Sequence, residues 1–187
     1  MHNQADSTTL APKSVLDSLK PTVAPMLDEL AQRYPSMFCG PHIGLDMAAG
    51  WYPVFVQLCA DIDAQPGQSQ SGEFQPGFHW RQLKEKYGQP RWYWRSKDAE
   101  DLTIDVTGQG RRRSFLLPDQ KIDPISNSIQ DLVQAAETRC ETRCMACGNP
   151  ASLQLLKGWY TTCCSEHLDM LRRDPDGFWR LVQQKPL

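Results

Sequence analysis

Cys144 and Cys147 stand two residues apart, and Cys164 and His167 repeat that spacing after sixteen intervening residues. No other feature of the chain restricts its folding so tightly. A two-residue spacer lets both side chains of a pair turn towards one ion, and two such pairs supply the four soft or borderline donors of a tetrahedral zinc site. Gly148 relaxes the backbone just after the first pair, and Asn149 and Pro150 follow at once, which blocks the helix that a redox CxxC would open. Between the pairs, "LQLL" and "WYTTC" flank "KG", the pattern of a short hairpin. "CCSEHLDMLRR" then reads as a helix ended by "DPDG", with Cys164 and His167 in its first turn. Knuckle, hairpin and helix in this order predict a treble-clef-like module with a structural zinc ion. Four protein ligands close the site, leaving no position for a catalytic water.

Cys163 competes with Cys164, but only Cys164 gives the CxxH spacing and the helical first turn. Cys140 continues the apolar stripe of the preceding helix and Cys59 lies on the apolar face of another, so both read as small core residues. Cys39 falls in a loop without an evident partner. The first residues carry no basic and apolar signal-peptide pattern, and the longest mostly apolar run, "AAGWYPVFVQLCA", is too short to span a bilayer. The expectation is a soluble protein of a reducing cytoplasm, where thiolate ligands are favoured over disulfides. A formal charge of −2 provides no global basic field, so contact with nucleic acid would need a local patch.

Upstream of the cysteines the pattern is mixed. Residues 1–20 are polar and read as a flexible segment, residues 21–139 as an α+β core, and residues 140–187 as the zinc module packed on it. Leu27, Leu30, Ala31 and Tyr34 form the stripe of a helix over 25–33. Trp51, Val54, Phe55, Leu58, Cys59 and Ile62 mark one face of a stronger helix over 51–62, with Pro53 tolerated in its first turn. "FHWRQLKEKY" and "RWYWRS", broken by "GQP", predict an antiparallel hairpin, and "LTIDV" a further edge strand. "TGQGRRRSFLLPDQK" reads as a loop. Asp123 as N-cap and Pro124 at N1 open a helix whose stripe is Ile125, Ile129, Leu132, Val133 and Ala136. The expected fold is α+β: a small antiparallel sheet packed by three or more helices, closed by the C-terminal treble-clef-like zinc module.

"GWYPVFVQLCADI", "QLKEKYGQPRWYW" and "CMACGNPASLQLLKGWYTTCCSEH" together resemble a group of uncharacterised, zinc-binding-type proteins of bacteriophages and prophages. The likeness spans most of residues 34–167 in the same order. It places Cys164 at the ligand position, and departs at the arginine segment 108–121 and at both tails. It implies a phage or prophage origin and a cytoplasmic location in a bacterial host, without an activity.

Two polar clusters are candidate binding faces. Lys84, Lys86, Arg91, Trp92 and Trp94 interleave cations with rings in the first hairpin, which suits base stacking with phosphate contact, a protein-binding face, or an ordinary hairpin with one packed side. Arg111, Arg112 and Arg113 form the second, either a phosphate-contacting loop or a solvated charge run. Asp61 and Asp63 read as solvent-side residues, His42 and His79 stand alone, and no nucleophile elbow, GxGxxG or P-loop occurs. The expected function is therefore non-catalytic. It is that of a zinc-stabilised phage accessory protein that binds a protein partner, such as a host defence system or host enzyme it inhibits. A nucleic-acid-binding zinc module is the alternative, and a metal-dependent nuclease a third reading.

Overall fold

A computed structural model describes residues 24–40, 42–65, 78–95, 102–108, 111–117 and 124–183. The N-terminal segment 1–20, the loop around 66–77 and the Asp123 cap lie outside the described residues. The fold is mixed helix and sheet, with sheets of two and three strands packed by helices.

Helix α1 (Ala24–Arg33) buries Leu27 and Leu30, and Tyr34 is buried just beyond it. Pro35 cannot continue the hydrogen-bond ladder, so the chain bends at Tyr34 and restarts as the single turn α2 (Pro35–Phe38). The short strand β1 (Gly44–Leu45) follows, then a 3-10 turn over Ala49–Trp51 that runs into α3 (Tyr52–Asp63). Pro53 sits in the first turn of α3, where its missing N–H has no helical partner to lose. Val54, Phe55, Leu58, Cys59 and Ile62 are buried along its inner face, as the periodicity predicts.

The hairpin consists of β2 (His79–Lys86) and β3 (Gln89–Arg95), antiparallel, with β1 added in parallel on the outer edge of β2. Its turn differs from the expected "GQP" break. Tyr87 and Gly88 form it, both with positive φ (58° and 75°), a two-residue turn whose twist matches the strands, while Gln89 and Pro90 already belong to β3. Leu83 pairs with Trp92 and Trp80 with Trp94, and all four are buried. The Phe55 ring meets Trp80 at 4.9 Å and Trp92 at 5.0 Å, which seats α3 on this face of the sheet.

Strand β4 (Leu102–Gly108) does not join that hairpin as an edge strand. It pairs with β5 (Arg111–Leu117) in a separate two-stranded sheet. The segment read as an arginine loop thus contains a strand: Gly108 pairs with Arg111, Thr107 with Arg112 and Val106 with Arg113. The run "RRRSFLL" is broken by no glycine or proline.

Helix α4 (Pro124–Cys140) buries Ile129, Val133, Ala136 and Cys140. It lies along β3, where the backbone N–H of Trp92 donates to Glu137 Oε1 (2.7 Å) and the indole N–H of Trp94 donates to Gln130 Oε1 (3.2 Å). The C-terminal part is β6 (Ser152–Leu156), β7 (Trp159–Cys163), α5 (Ser165–Arg173) and α6 (Pro175–Val182). Helix α6 has no counterpart in the expected elements. Asp174 ends α5 and its carboxylate caps α6 by accepting from the Gly177 N–H (2.9 Å), so the "DPDG" stop is also a start.

Candidate metal centre

The CxxC turn is built by backbone bonds. Gly148 N–H donates to the Cys144 carbonyl (2.8 Å), closing a knuckle that turns both side chains inwards, and Cys144 N–H donates to the Asn149 carbonyl (2.8 Å). Gly148 has φ +75°, a region that strains residues with a Cβ. The knuckle is then pinned from two sides. Met145 N–H donates to the Thr162 carbonyl on β7 (2.9 Å), and the Met145 carbonyl accepts from Gly50 N–H in the 3-10 turn (2.8 Å). One position on, the Trp51 indole N–H donates to the Arg143 carbonyl (3.2 Å).

The second pair comes from the start of α5. Cys164 is its N-cap with extended backbone (φ −73°, ψ 169°), and His167 lies in the first turn. The Cys144, Cys147 and Cys164 sulfurs and a His167 ring nitrogen all lie within 4.8 Å of one another. Cys147 Sγ and Cys164 Sγ are 3.9 Å apart, and Cys164 Sγ is 3.1 Å from His167 Nδ1. The cluster is graded in burial: Cys144 is inaccessible, Cys164 and His167 are half-buried, and Cys147 faces solvent. Phe178 of α6 backs the histidine with ring centroids 6.4 Å apart.

Partial burial pushes the Cys147 thiol up to about 12; the Asn149 backbone N–H counters this, while Cys144 and Cys164 beside it add to it. Three sulfurs and an imidazole nitrogen gathered this closely make the group a potential metal site. Cys163, the neighbour in sequence, is buried outside the group, and burial raises its thiol to about 11. Cys163 is the last residue of β7, whereas Cys164 is the N-cap of α5 and so stands with His167 at the helix start. Cys140 and Cys59 are core residues, and burial likewise lifts Cys140 to about 12.

The first hairpin does not present its candidate residues together. Trp92 and Trp94 are in the core, so their rings are not a stacking surface. Arg91 is 5 % exposed, with its guanidinium donating to the Pro90 carbonyl (2.8 Å). Lys84 is half-buried, donates to Gln82 Oε1 (2.7 Å) and lies 4.9 Å from the Tyr93 ring centre. Lys86 alone of this set is exposed, 5.2 Å from the Tyr87 ring. The sequence pattern failed here because alternation shows that two faces exist but not which one meets a helix.

A different surface is apolar and open. On the second hairpin, Leu155 is 61 % exposed, Trp159 75 % and Tyr160 45 %, and Tyr87 from the first hairpin stacks edge-on against Tyr160 at 6.4 Å. The signal was present in "LQLLKGWY", which puts large apolar residues on both faces of a two-stranded ribbon that can cover only one. The turn at Tyr87–Gly88 reaches this hairpin directly, with Thr162 Oγ1 donating to the Gly88 carbonyl (2.7 Å).

No protein-family model, curated protein or solved structure matches the chain. No helix among the described residues is long and apolar enough to cross a membrane.

Proposed function

We propose that Cys144, Cys147, Cys164 and His167 hold a structural zinc ion in a phage-type accessory protein that acts by binding another protein, as an inhibitor of a host defence system or host enzyme. The observation that carries the metal assignment is the convergence of three sulfurs and one imidazole nitrogen within 4.8 Å. Tetrahedral zinc with Zn–S bonds of ~2.3 Å separates its sulfurs by roughly 3.8 Å, and Cys147 and Cys164 stand at 3.9 Å. Three thiolates with one imidazole favour zinc over hard cations, and four protein donors fill its tetrahedron. Such an ion contributes to folding and leaves no position for an activated water, which is the ground for a non-catalytic reading.

Binding rather than catalysis also suits the exposed Leu155, Trp159 and Tyr160, since large rigid aromatic residues are the side chains that anchor protein interfaces. The phage origin and the host target rest on the sequence resemblance alone. Metal analysis of purified protein tests the first part, with one zinc per chain expected and less than about half a zinc refuting it. Affinity capture from infected and uninfected host lysate, followed by reconstitution of the recovered complex from purified components, tests the second. The nucleic-acid alternative has lost Trp92 and Trp94 as stacking rings to the core. Retardation of DNA or RNA in low-salt gels, weakened by Arg111→Ala with Arg113→Ala, would revive it.

A further inference from the structure

Among the described residues, β6 of the β6–β7 hairpin has an outer edge that takes no backbone bonds. Sheet β6–β7 has two strands, and β7 is occupied on its far side, where the Thr162 carbonyl accepts from Met145. That bond fixes the alternation. Thr162 faces Leu153 in the register, so the Leu153–Thr162 pair is of the kind that exchanges no ladder bonds. Leu153 and, two residues on, Leu155 therefore aim their backbone N–H and C=O groups away from β7. Among the described residues nothing bonds this edge between Ser152 and Leu156. Above it, Thr142 closes the edge by accepting from Ala151 N–H (2.9 Å), and below it the Lys157–Gly158 turn ends the strand.

The edge also lacks the devices that keep open strands apart. "SLQLL" contains no charge, proline or bulge, and Leu153 and Leu155 are 42 % and 61 % exposed. From these observations we infer that β6 pairs antiparallel with β6 of a second copy of the chain. The strand is self-complementary about Gln154. Leu153 of one copy then lies opposite Leu155 of the other and exchanges both outward bonds with it, and the two Gln154 residues face each other. No like charges meet in the paired segment. The four leucines share one face with the two Tyr160 rings, turning two exposed ribbons into a four-stranded sheet and covering apolar surface that neither copy covers alone. A heterologous acidic partner is the weaker candidate, because the strand itself offers no charge for it to meet.

Sedimentation velocity over a hundredfold range of concentration tests this pairing, with a mass that moves from one chain to two expected. Leu155→Lys should abolish the association while circular dichroism and metal content stay as in the parent, because Leu155 supports no core contact. A register test stands beside it. In a Cys39→Ser parent, Gln154→Cys should form a disulfide-linked dimer under mild oxidation, since Cα atoms ~4.5 Å apart in such a pair lie within disulfide reach. Leu155→Cys, opposite Leu153 rather than itself, should cross-link no faster than the parent. A chain that is monomeric throughout, a Leu155→Lys protein that still dimerises, or a Gln154→Cys protein that cross-links no faster than the parent overturns the pairing. Should Leu155→Lys fail to fold, the cross-linking comparison decides alone.

Discussion

Gly50 and Gly148 meet backbone to backbone. A Cβ on Gly50 would stand 2.5 Å from Gly148 N and 2.1 Å from the Cys144 carbonyl oxygen, and one on Gly148 would stand 2.7 Å from the Gly50 oxygen. The Cys144–Cys147 knuckle is thus pressed against the 3-10 turn with no room for a side chain between them. Gly50→Ala should destabilise the protein by about 3 kcal/mol or more, since the obstacle is backbone and cannot rotate away. Gly148→Ala should do likewise, with a left-handed backbone penalty of about 1–2 kcal/mol included. Thermal denaturation measures both, and chelator challenge should strip metal from each variant faster than from the parent.

Removal of the metal should loosen the C-terminal module first. Structural zinc supplies about 10–16 kcal/mol in isolated zinc-finger peptides, and here Thr161 and Thr162 of β7 are buried, with the Thr162 carbonyl accepting from the Met145 N–H of the knuckle. Chelation should therefore lower the melting temperature and expose the amides of β7 and α5 to hydrogen exchange before those of α3. Unchanged exchange in β7 after metal loss would contradict this.

The neighbouring thiols separate by substitution. Cys164→Ser removes a proposed ligand and should cost most of the metal found with the parent. Cys163→Ser should retain one metal per chain and lose only stability, on the order of 1–3 kcal/mol for a polar hydroxyl placed in a buried site. Metal content measured after gel filtration distinguishes them.

Two tryptophans should behave oppositely. Trp92→Ala removes a ring packed against Phe55 and should destabilise by about 3–5 kcal/mol. Trp159→Ala acts at a surface position and should change stability by no more than about 0.5 kcal/mol. Urea denaturation of the pair gives both values.

Glu85 carries a pH dependence of known sign. Burial raises its carboxyl above the usual carboxylate range; the Gly88 N–H and Arg91 pull it back, and Asp46 raises it further. The folded state thus holds the proton more tightly than the unfolded chain. Glu85 stabilises most below the ordinary carboxylate value, and that contribution is lost as pH rises from there through the raised folded value. Glu85→Gln keeps an oxygen for the Gly88 N–H and removes the titration. The melting temperature of Glu85→Gln relative to the parent should rise between pH 4 and pH 7 as the parent loses this contribution. Metal loss in acid affects both proteins and cancels in that difference.

Spacing alone picked out the four residues that converge, because Cys144, Cys147, Cys164 and His167 are carried by a knuckle, a hairpin and a helix start whose local geometry a short sequence can specify. Helices α1, α3 and α4 were legible from apolar periodicity for the same reason. What escaped was decided over distance. The strand character of Arg111, Arg112 and Arg113 depends on pairing with β4. The burial of Arg91, Trp92 and Trp94 depends on where α3 and α4 pack. The turn at Tyr87 and Gly88 was misplaced because "GQP" offers a stronger local break than a tyrosine with positive φ, and the Thr162 bond to Gly88 that holds it comes from 74 positions away.

The bond from Trp51 to Arg143 spans 92 positions, which bears on the order of events during synthesis. Chains emerge from the N-terminus, so the 3-10 turn and α3 leave the ribosome well before the first thiol pair. Cys164 and His167 follow later still. The seat for the knuckle is laid down first, two donors arrive next, and the other two come only after the β6–β7 hairpin between them. A full ligand set for an ion thereby waits on β7 and the start of α5, and a nascent chain stalled before β7 holds half of that set on a finished seat.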